Sequence, residues 1–288
     1  MGFSSISDLL SEISIGKSHR VDSLKNSLSG NGNTWIDYSS ATGNPPANTY
    51  PGTALTWQGC DEATGNGTIP FGLRHGGNVS PETKHIITVG ANSNSSSFAS
   101  AQLMLVDLQG YWPGISTNTA VAQTLSGTPT LRYTNGVGVR AYLVQTAVGG
   151  LTAQTMTYTY TDNAGNTGNV AANTTMASQA NLAQLSYSNS SNTGPLFLPL
   201  NSGDTGIRNV ASVTFSAAKT GTVALCLARP LLTISFGSGA ATIERDLLNQ
   251  LFSMPRVVDG ACLTWLVLYG STAPTTQVLN TYIEVAWG

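Results

Sequence analysis

The run Thr155-Met156-Thr157-Tyr158-Thr159-Tyr160-Thr161 alternates threonine with a bulky apolar or aromatic residue. Successive side chains of a strand point to opposite faces, so one face is a hydrophobic stripe and the other carries only hydroxyls. That pattern is a half-buried β-strand. Similar runs recur at 84–89, 103–108, 137–146, 156–160, 223–227, 232–236, 262–269 and 278–287, joined by segments rich in Gly, Asn, Ser and Thr. Residues 263–269 are apolar on both faces, which predicts a strand in the middle of a sheet, covered on both sides. The fold expected is mainly β: an antiparallel, jelly-roll-like sandwich.

Two helices are expected beside the strands. Ser5 and Asp8 have S-x-x-D capping spacing, Ile6, Leu9, Leu10 and Ile13 then share one face, and Gly16 ends the segment. Ile243, Leu247, Leu248 and Leu251, followed by Pro255, predict a short helix over 242–253. Residues 18–50 are rich in Ser, Asn and Gly and include Asn44-Pro45-Pro46, so an extended arm with few core residues is expected. This divides the chain into a helix and arm at 1–50 and a β-sandwich domain at 51–288. The stretch 169–204 reads equally as a surface crossover, an insertion or a junction, which leaves a subdivision within 163–207 open.

Only 9% of the 288 residues are charged, against about 25% in an average soluble protein. With 41% hydrophobic residues, the chain has the content to fold and lacks the high charge of a disordered one. A net charge of −2 gives no electrostatic reason to bind phosphate backbones, so no direct nucleic-acid contact is expected. The start of the chain lacks a basic stretch followed by an apolar one, and no run of about 20 apolar residues occurs, so no membrane association is expected. Cys60, Cys226 and Cys262 are odd in number and form no C-x-x-C pair, which predicts buried free thiols.

Candidate chemistry is sparse. Gly16-Lys17-Ser18 looks like the end of a phosphate loop, but Ser11 stands where the first glycine is needed and no strand precedes it. His75, His85, Asp61, Glu62 and Glu82 lack the tight spacing by which one strand or helix presents two metal ligands. Asp107 sits in the apolar run 103–108 and is the one carboxylate with a desolvation argument, paired for glycoside hydrolysis with Asp61 or Glu62 or, as a structural group, with Arg132 or Arg140. Neither a catalytic residue nor a metal or cofactor is assigned. Tyr111-Trp112-Pro113-Gly114 follows a strand and reads as a turn, which makes Tyr111 and Trp112 candidates for an exposed contact with glycan or protein.

Three stretches resemble a family of virion structural proteins of tailed bacteriophages. They are Met1-Gly2-Phe3-Ser4-Ser5-Ile6-Ser7-Asp8-Leu9-Leu10, then Ile69-Pro70 followed by His75-Gly76-Gly77-Asn78-Val79-Ser80-Pro81-Glu82-Thr83-Lys84-His85, and Leu103-Met104-Leu105-Val106-Asp107-Leu108. The resemblance covers residues 1–145 and departs at Phe71-Gly72-Leu73-Arg74, which looks like a local insertion. It implies a particle component and carries over no catalytic residue. Among particle roles, the low-charge, hydroxyl-rich β-domain suits a capsid decoration (cement) protein on the outer capsid surface. Ile6, Leu9, Leu10 and Ile13 would lie on the major capsid protein, and a homotrimer would match a local three-fold position. The competing expectations are a tail, collar or fibre component that binds host glycan through Tyr111, Trp112 and the polar loops, and a glycan-cleaving virion hydrolase.

Overall fold

The computed structural model describes residues 2–26, 28, 33–93, 98, 101–150, 154–172, 174–176, 181–185, 196–237, 241–248, 254–270 and 278–288. After helix α1 (Ile6–Ser14), the strands of the first half are β1 (Ser18–Asn26), β2 (Trp35–Asp37), β3 (Gly43–Asn44), β4 (Gln58–Gly59), β5 (Lys84–Ser93), β6 (Gln102–Ser116), β7 (Gln123–Thr124) and β8 (Arg140–Ala147). There follow β9 (Gln154–Asp162), β10 (Asn169–Val170), β11 (Thr174–Met176), β12 (Ile207–Phe215), β13 (Thr222–Ser235), β14 (Thr242–Asp246), β15 (Arg256–Val257), β16 (Leu263–Leu268) and β17 (Val278–Trp287). All the pairings between these strands are antiparallel.

The strands form three sheets. An outer sheet has the order β14-β5-β17-β1-β3, with β15 also on β5; a shared sheet has β2-β16-β6-β13-β8, with β4 on β6; a second outer sheet has β10-β9-β12-β7, with β11 on β9. β6 and β13 are 15 and 14 residues long and carry the architecture. Near Leu103 and Leu105 their inner face packs on Val21, Val89, Ile283 and Val285 of the first outer sheet. Further along, Trp112, Ile115, Val223 and Leu225 pack on Met156, Tyr158, Tyr160 and Val213 of the second. Two β-sandwiches therefore sit side by side on one sheet, whose other face carries Trp35 and Val106 and is covered by Tyr50, Phe71, Leu185 and their neighbours.

The main strands of the first sandwich pair in a nested order. β1 pairs with β17, β2 with β16, β5 with β14 and β6 with β13. The second outer sheet and β8 are contributed by residues 117–221, between β6 and β13. Residues 163–206 join β9 to β12, which are hydrogen-bonded neighbours in one sheet.

The threonine-alternating run is β9, with Met156, Tyr158 and Tyr160 buried and Thr157, Thr159 and Thr161 half-buried. β16 lies between β2 and β6 and is buried on both faces, as its double apolar character predicts. All three cysteines are buried free thiols.

Two expectations are corrected. Residues 242–246 form strand β14, with Ile243 turned into the core, and not the start of a helix; Leu251 lies outside the described residues. The spacing of Ile243 and Leu247 fits a helix face, but pairing of 242–246 along β5 satisfies their backbone groups as a strand. Nor are residues 18–50 an arm poor in core residues. β1 pairs along its whole length with β17, β2 extends the shared sheet, and Trp35, Ile36, Tyr38, Ala41 and Tyr50 are buried.

Candidate partner-docking site

Helix α1 rests on the outside of the first outer sheet. Ser5 has extended backbone and its hydroxyl accepts the Asp8 N–H at 3.1 Å, while the Asp8 carboxylate accepts the Ser4 N–H at 2.9 Å. These reciprocal bonds satisfy donors that a helix start leaves open. Gly16, at φ +88, turns the chain out of the helix. Lys17 then bridges Glu12 and Glu82, each at 2.6 Å, and ties the end of the helix to the loop before β5.

The four residues of the expected contact face do not share one role. Leu9 is buried with Ile87 and Ala286, and Ile13 and Phe3 pack around them. Ile6 and Leu10 point away and are 53% and 59% exposed. Ile15, at 69%, and Leu248, at 79%, are apolar and exposed nearby in the chain or beside the helix's packing partner Leu247. Phe3, Ile6, Leu9, Leu247 and Met254 line a hollow of about 240 Å³ between the helix and the segment after β14. Leu9 thus holds the helix down, and Ile6 and Leu10 are the apolar groups it presents.

Tyr111 and Trp112 are not an exposed contact. Both are fully buried, because β6 continues through Ser116 where the sequence suggests a turn. The Tyr111 hydroxyl donates to Pro51 O at 2.8 Å, and Trp112 Nε1 donates to Ser126 O at 2.9 Å beside the Trp57 ring, 4.6 Å away between centroids. Pro113 and Gly114 mark an irregularity rather than a turn: the β6–β13 register shifts between Val223 and Leu225, opposite Ile115 and Trp112.

The candidate acids are engaged elsewhere. Asp107 is fully buried at the junction of the two sandwiches, where its carboxylate accepts two bonds from the Arg132 guanidinium and the Cys262 N–H. Arg132 also donates to the carbonyls of Cys60 and Leu108, so this pair pins the 132–133 loop to β6. Asp61 accepts from the N–H groups of Ala63 and Thr64 and from the Thr64 hydroxyl, which closes its own turn and keeps its carboxyl below the usual range despite partial burial. Glu62 accepts the Gly77 N–H and faces His75, whose ring meets Lys84, a cation, where a metal would need a ligand. Among the described residues no three His, Cys, Asp or Glu side chains converge as metal ligands, and no helix is long and apolar enough to cross a membrane.

Sequence reasoning missed a second buried polar cluster. Lys25 Nζ donates to the carbonyls of Ala41 at 3.0 Å and Pro45 at 2.6 Å, with Ser39 O and Pro46 O at 3.4 and 3.3 Å. Burial lowers its pKa to about 8, against the pull of Asp37. Asp37 in turn accepts the N–H and hydroxyl of Ser39 and the Tyr50 hydroxyl, and burial holds its pKa above the ordinary value. No spacing motif links Lys25, Asp37 and Tyr50, so the sequence carried no signal for the cluster.

No protein-family model matches the chain, and no curated protein matches it. Among solved structures, the chain is similar to the VP2 subviral particle of infectious bursal disease virus at 10% identity, covering 93% of this chain and 80% of that one with a TM-score of 0.19. A mutant VP2 of the same virus, in T=1 particles, gives 9% identity, coverage of 93% and 77%, and a TM-score of 0.18. At these scores the likeness to a viral capsid protein carries no argument about this chain.

Proposed function

We propose that this chain is a structural virion protein that decorates and stabilises the outer surface of a bacteriophage capsid by binding the major capsid protein, without a catalytic step or a cofactor. The observation that carries the reading is the exposed apolar face of α1, Ile6 and Leu10, on a helix held in place from beneath by Leu9. Water contact is costly for such side chains, and burying them against a partner is favourable. The reading is also supported by the resemblance of residues 1–145 to virion proteins of tailed phages and by the low charge of the whole chain. The nested pairing of β1/β17, β2/β16, β5/β14 and β6/β13 is read as jelly-roll winding, with the second sandwich inserted at its β6–β13 hairpin. A homotrimer at local three-fold positions completes the proposal. The mechanism is linkage: a protein that binds the expanded shell and not its precursor lowers the free energy of the expanded state. The tail or collar reading loses its two aromatic contact residues, since Tyr111 and Trp112 lie inside, and keeps only the polar loops.

The test is co-sedimentation of the purified protein with undecorated shells, with copy number per shell measured by quantitative mass spectrometry. Hundreds of copies in simple ratio to the shell subunit, lost in the Ile6→Asp/Leu10→Asp variant that still folds, is the expected result. A dozen copies or fewer, or full binding by that variant, overturns it.

A further inference from the structure

The two sandwiches leave a crevice of about 770 Å³ on the inner side of the shared sheet. Its lining includes Arg132, Arg229 and Arg256 and no carboxylate. The charge of Arg132 is met by Asp107. Arg229 lies over the Tyr133 ring at 4.3 Å and donates to Val137 O, and among the described residues neither it nor Arg256 has an ion-pair partner. On the far side of Arg256 a second hollow holds Glu82, which pairs with Lys17, and Asp259, whose carboxylate accepts the Val79 N–H. Two guanidinium groups without an ion-pair partner among the described residues thus share a crevice in a chain whose net charge is −2, and Asp107, opposite Arg229 in the β6–β13 register, is already paired with Arg132.

A second feature opens onto the same place. β13 pairs with β6 from Thr222 to Ser235, but β8 covers its other edge only as far as Ala228. Beyond that point no described strand pairs with this edge, although its residues, Leu231, Leu232, Thr233, Ile234 and Ser235, are uncharged and favour strands. Native edges are ordinarily blunted by charge, proline or a bulge. Here Pro230, which has no N–H to offer, stands at the start and the β6–β13 register slips between Pro230 and Leu232, but from Leu232 to Ser235 nothing of the kind follows. Pro230 and Leu231 line the crevice, so the open edge begins where the arginines are.

We propose that this crevice and edge form a binding site for an extended acidic peptide segment of a partner chain. Its backbone adds a strand to β13 from Leu232 onward, and its carboxylates meet Arg229 and Arg256. A sugar or a free anion would use the arginines but leave the backbone edge unsatisfied, and a second copy of this edge would bring arginine against arginine. The inference does not rest on the virion reading.

The probe is a fluorescein-labelled, C-terminally amidated peptide of alternating Glu and Val, followed by anisotropy, with hydrogen exchange read by mass spectrometry. Binding is expected to protect amides at 231–235, to weaken at least tenfold in the Arg229→Gln/Arg256→Gln variant, and to be lost for the Lys/Val peptide. No binding at millimolar peptide overturns the proposal. So does protection elsewhere, equal binding of the Lys/Val peptide, or protection of 231–235 that follows protein concentration alone, which would make a second copy the occupant.

Discussion

Lys84 Nζ donates to His75 Nδ1 at 2.9 Å, and this bond fixes the protonation of both groups. The other acceptors of the ammonium are His75 O at 2.8 Å and Gly77 O at 2.5 Å, so its three N–H donors are all used. Nδ1 must then be bare, and the ring proton sits on Nε2, which donates to Ala261 O at 3.1 Å and faces Glu62 at 3.4 Å. A second ring proton would point at the Lys84 ammonium.

A pH dependence follows. Burial, and then the Lys84 charge, lower the pKa of His75 below 6.5, against the pull of Glu62. The unfolded chain takes up this proton near pH 6.5 and the folded chain only at lower pH, so unfolding binds a proton below 6.5 and stability falls as pH drops through that value. Urea unfolding at pH 7.5 and 5.5 is expected to give a lower midpoint at 5.5. The His75→Gln variant should lose part of that difference; an unchanged difference would remove His75 as its source.

Lys25 offers a direct titration. In the fold its proton leaves near pH 8, against 10.5 for the free side chain. Unfolding therefore takes up a proton between those values, and the contribution of Lys25 to stability rises with pH across that window. The ¹³Cε resonance of Lys25 is expected to titrate near 8, separately from the other lysines. Lys25→Met keeps the stem but leaves the carbonyls of Ala41 and Pro45 without their donor, at a cost of about 1–3 kcal/mol. A bulk-like titration near 10.5 would mean that the ammonium reaches water.

The legible part of the fold is the part built by apolar alternation. β9, β16 and β17 could be read because each buried face is a row of large side chains. β1 was hidden because the face it buries consists of Val21, Ser23 and Lys25, while Leu24 points out. Its inward ammonium, Lys25, is held by the carbonyls of Ala41 and Pro45, which no local pattern announces. β12 was missed for another reason: its register on β9 shifts between Ile207 and Asn209 and again between Val210 and Ser212, so its apolar residues fall out of a period of two. Of the proposed docking face, the cap and the periodicity of α1 were readable, but which of its apolar residues face the sheet depends on Ile87 and Ala286, far away in the chain. The crevice arginines come from three separated segments and share no motif.

The Asp107 and Arg132 pair can be separated from a catalytic role by its energetics. Asp107→Asn keeps the shape and an acceptor for the Cys262 N–H, but leaves the Arg132 guanidinium mostly buried and unpaired. Breaking one partner of such a pair costs about 3–5 kcal/mol. Chemical denaturation of Asp107→Asn, Arg132→Gln and the double variant is expected to be non-additive, with the double variant more stable than the sum of the single losses. Additive losses would mean that the two side chains do not act as a pair.

Gly110 tests the long strands on which both sandwiches rest. It sits where the β6–β13 register slips between Leu227 and Ala228, and β4 crosses close beside it. A Cβ added at Gly110 would lie 2.3 Å from the Gln58 carbonyl oxygen and 2.4 Å from the Trp57 ring. The ring can give, but the backbone oxygen is held in the β4 pairing, so Gly110→Ala must push β4 away from β6. Overpacking of this kind costs about 1–3 kcal/mol. Because the Trp57 ring packs at a tilt against Trp112, the displacement should reach the second core, and tryptophan fluorescence should change along with the lower unfolding midpoint. Gly59, the neighbouring β4 residue, is exposed, and its added Cβ meets only Trp57 Nε1 at 3.8 Å, so Gly59→Ala is the matched control and is expected to leave both readouts nearly unchanged. Equal effects from the two substitutions would mean that close approach at the slip is not what requires glycine at position 110.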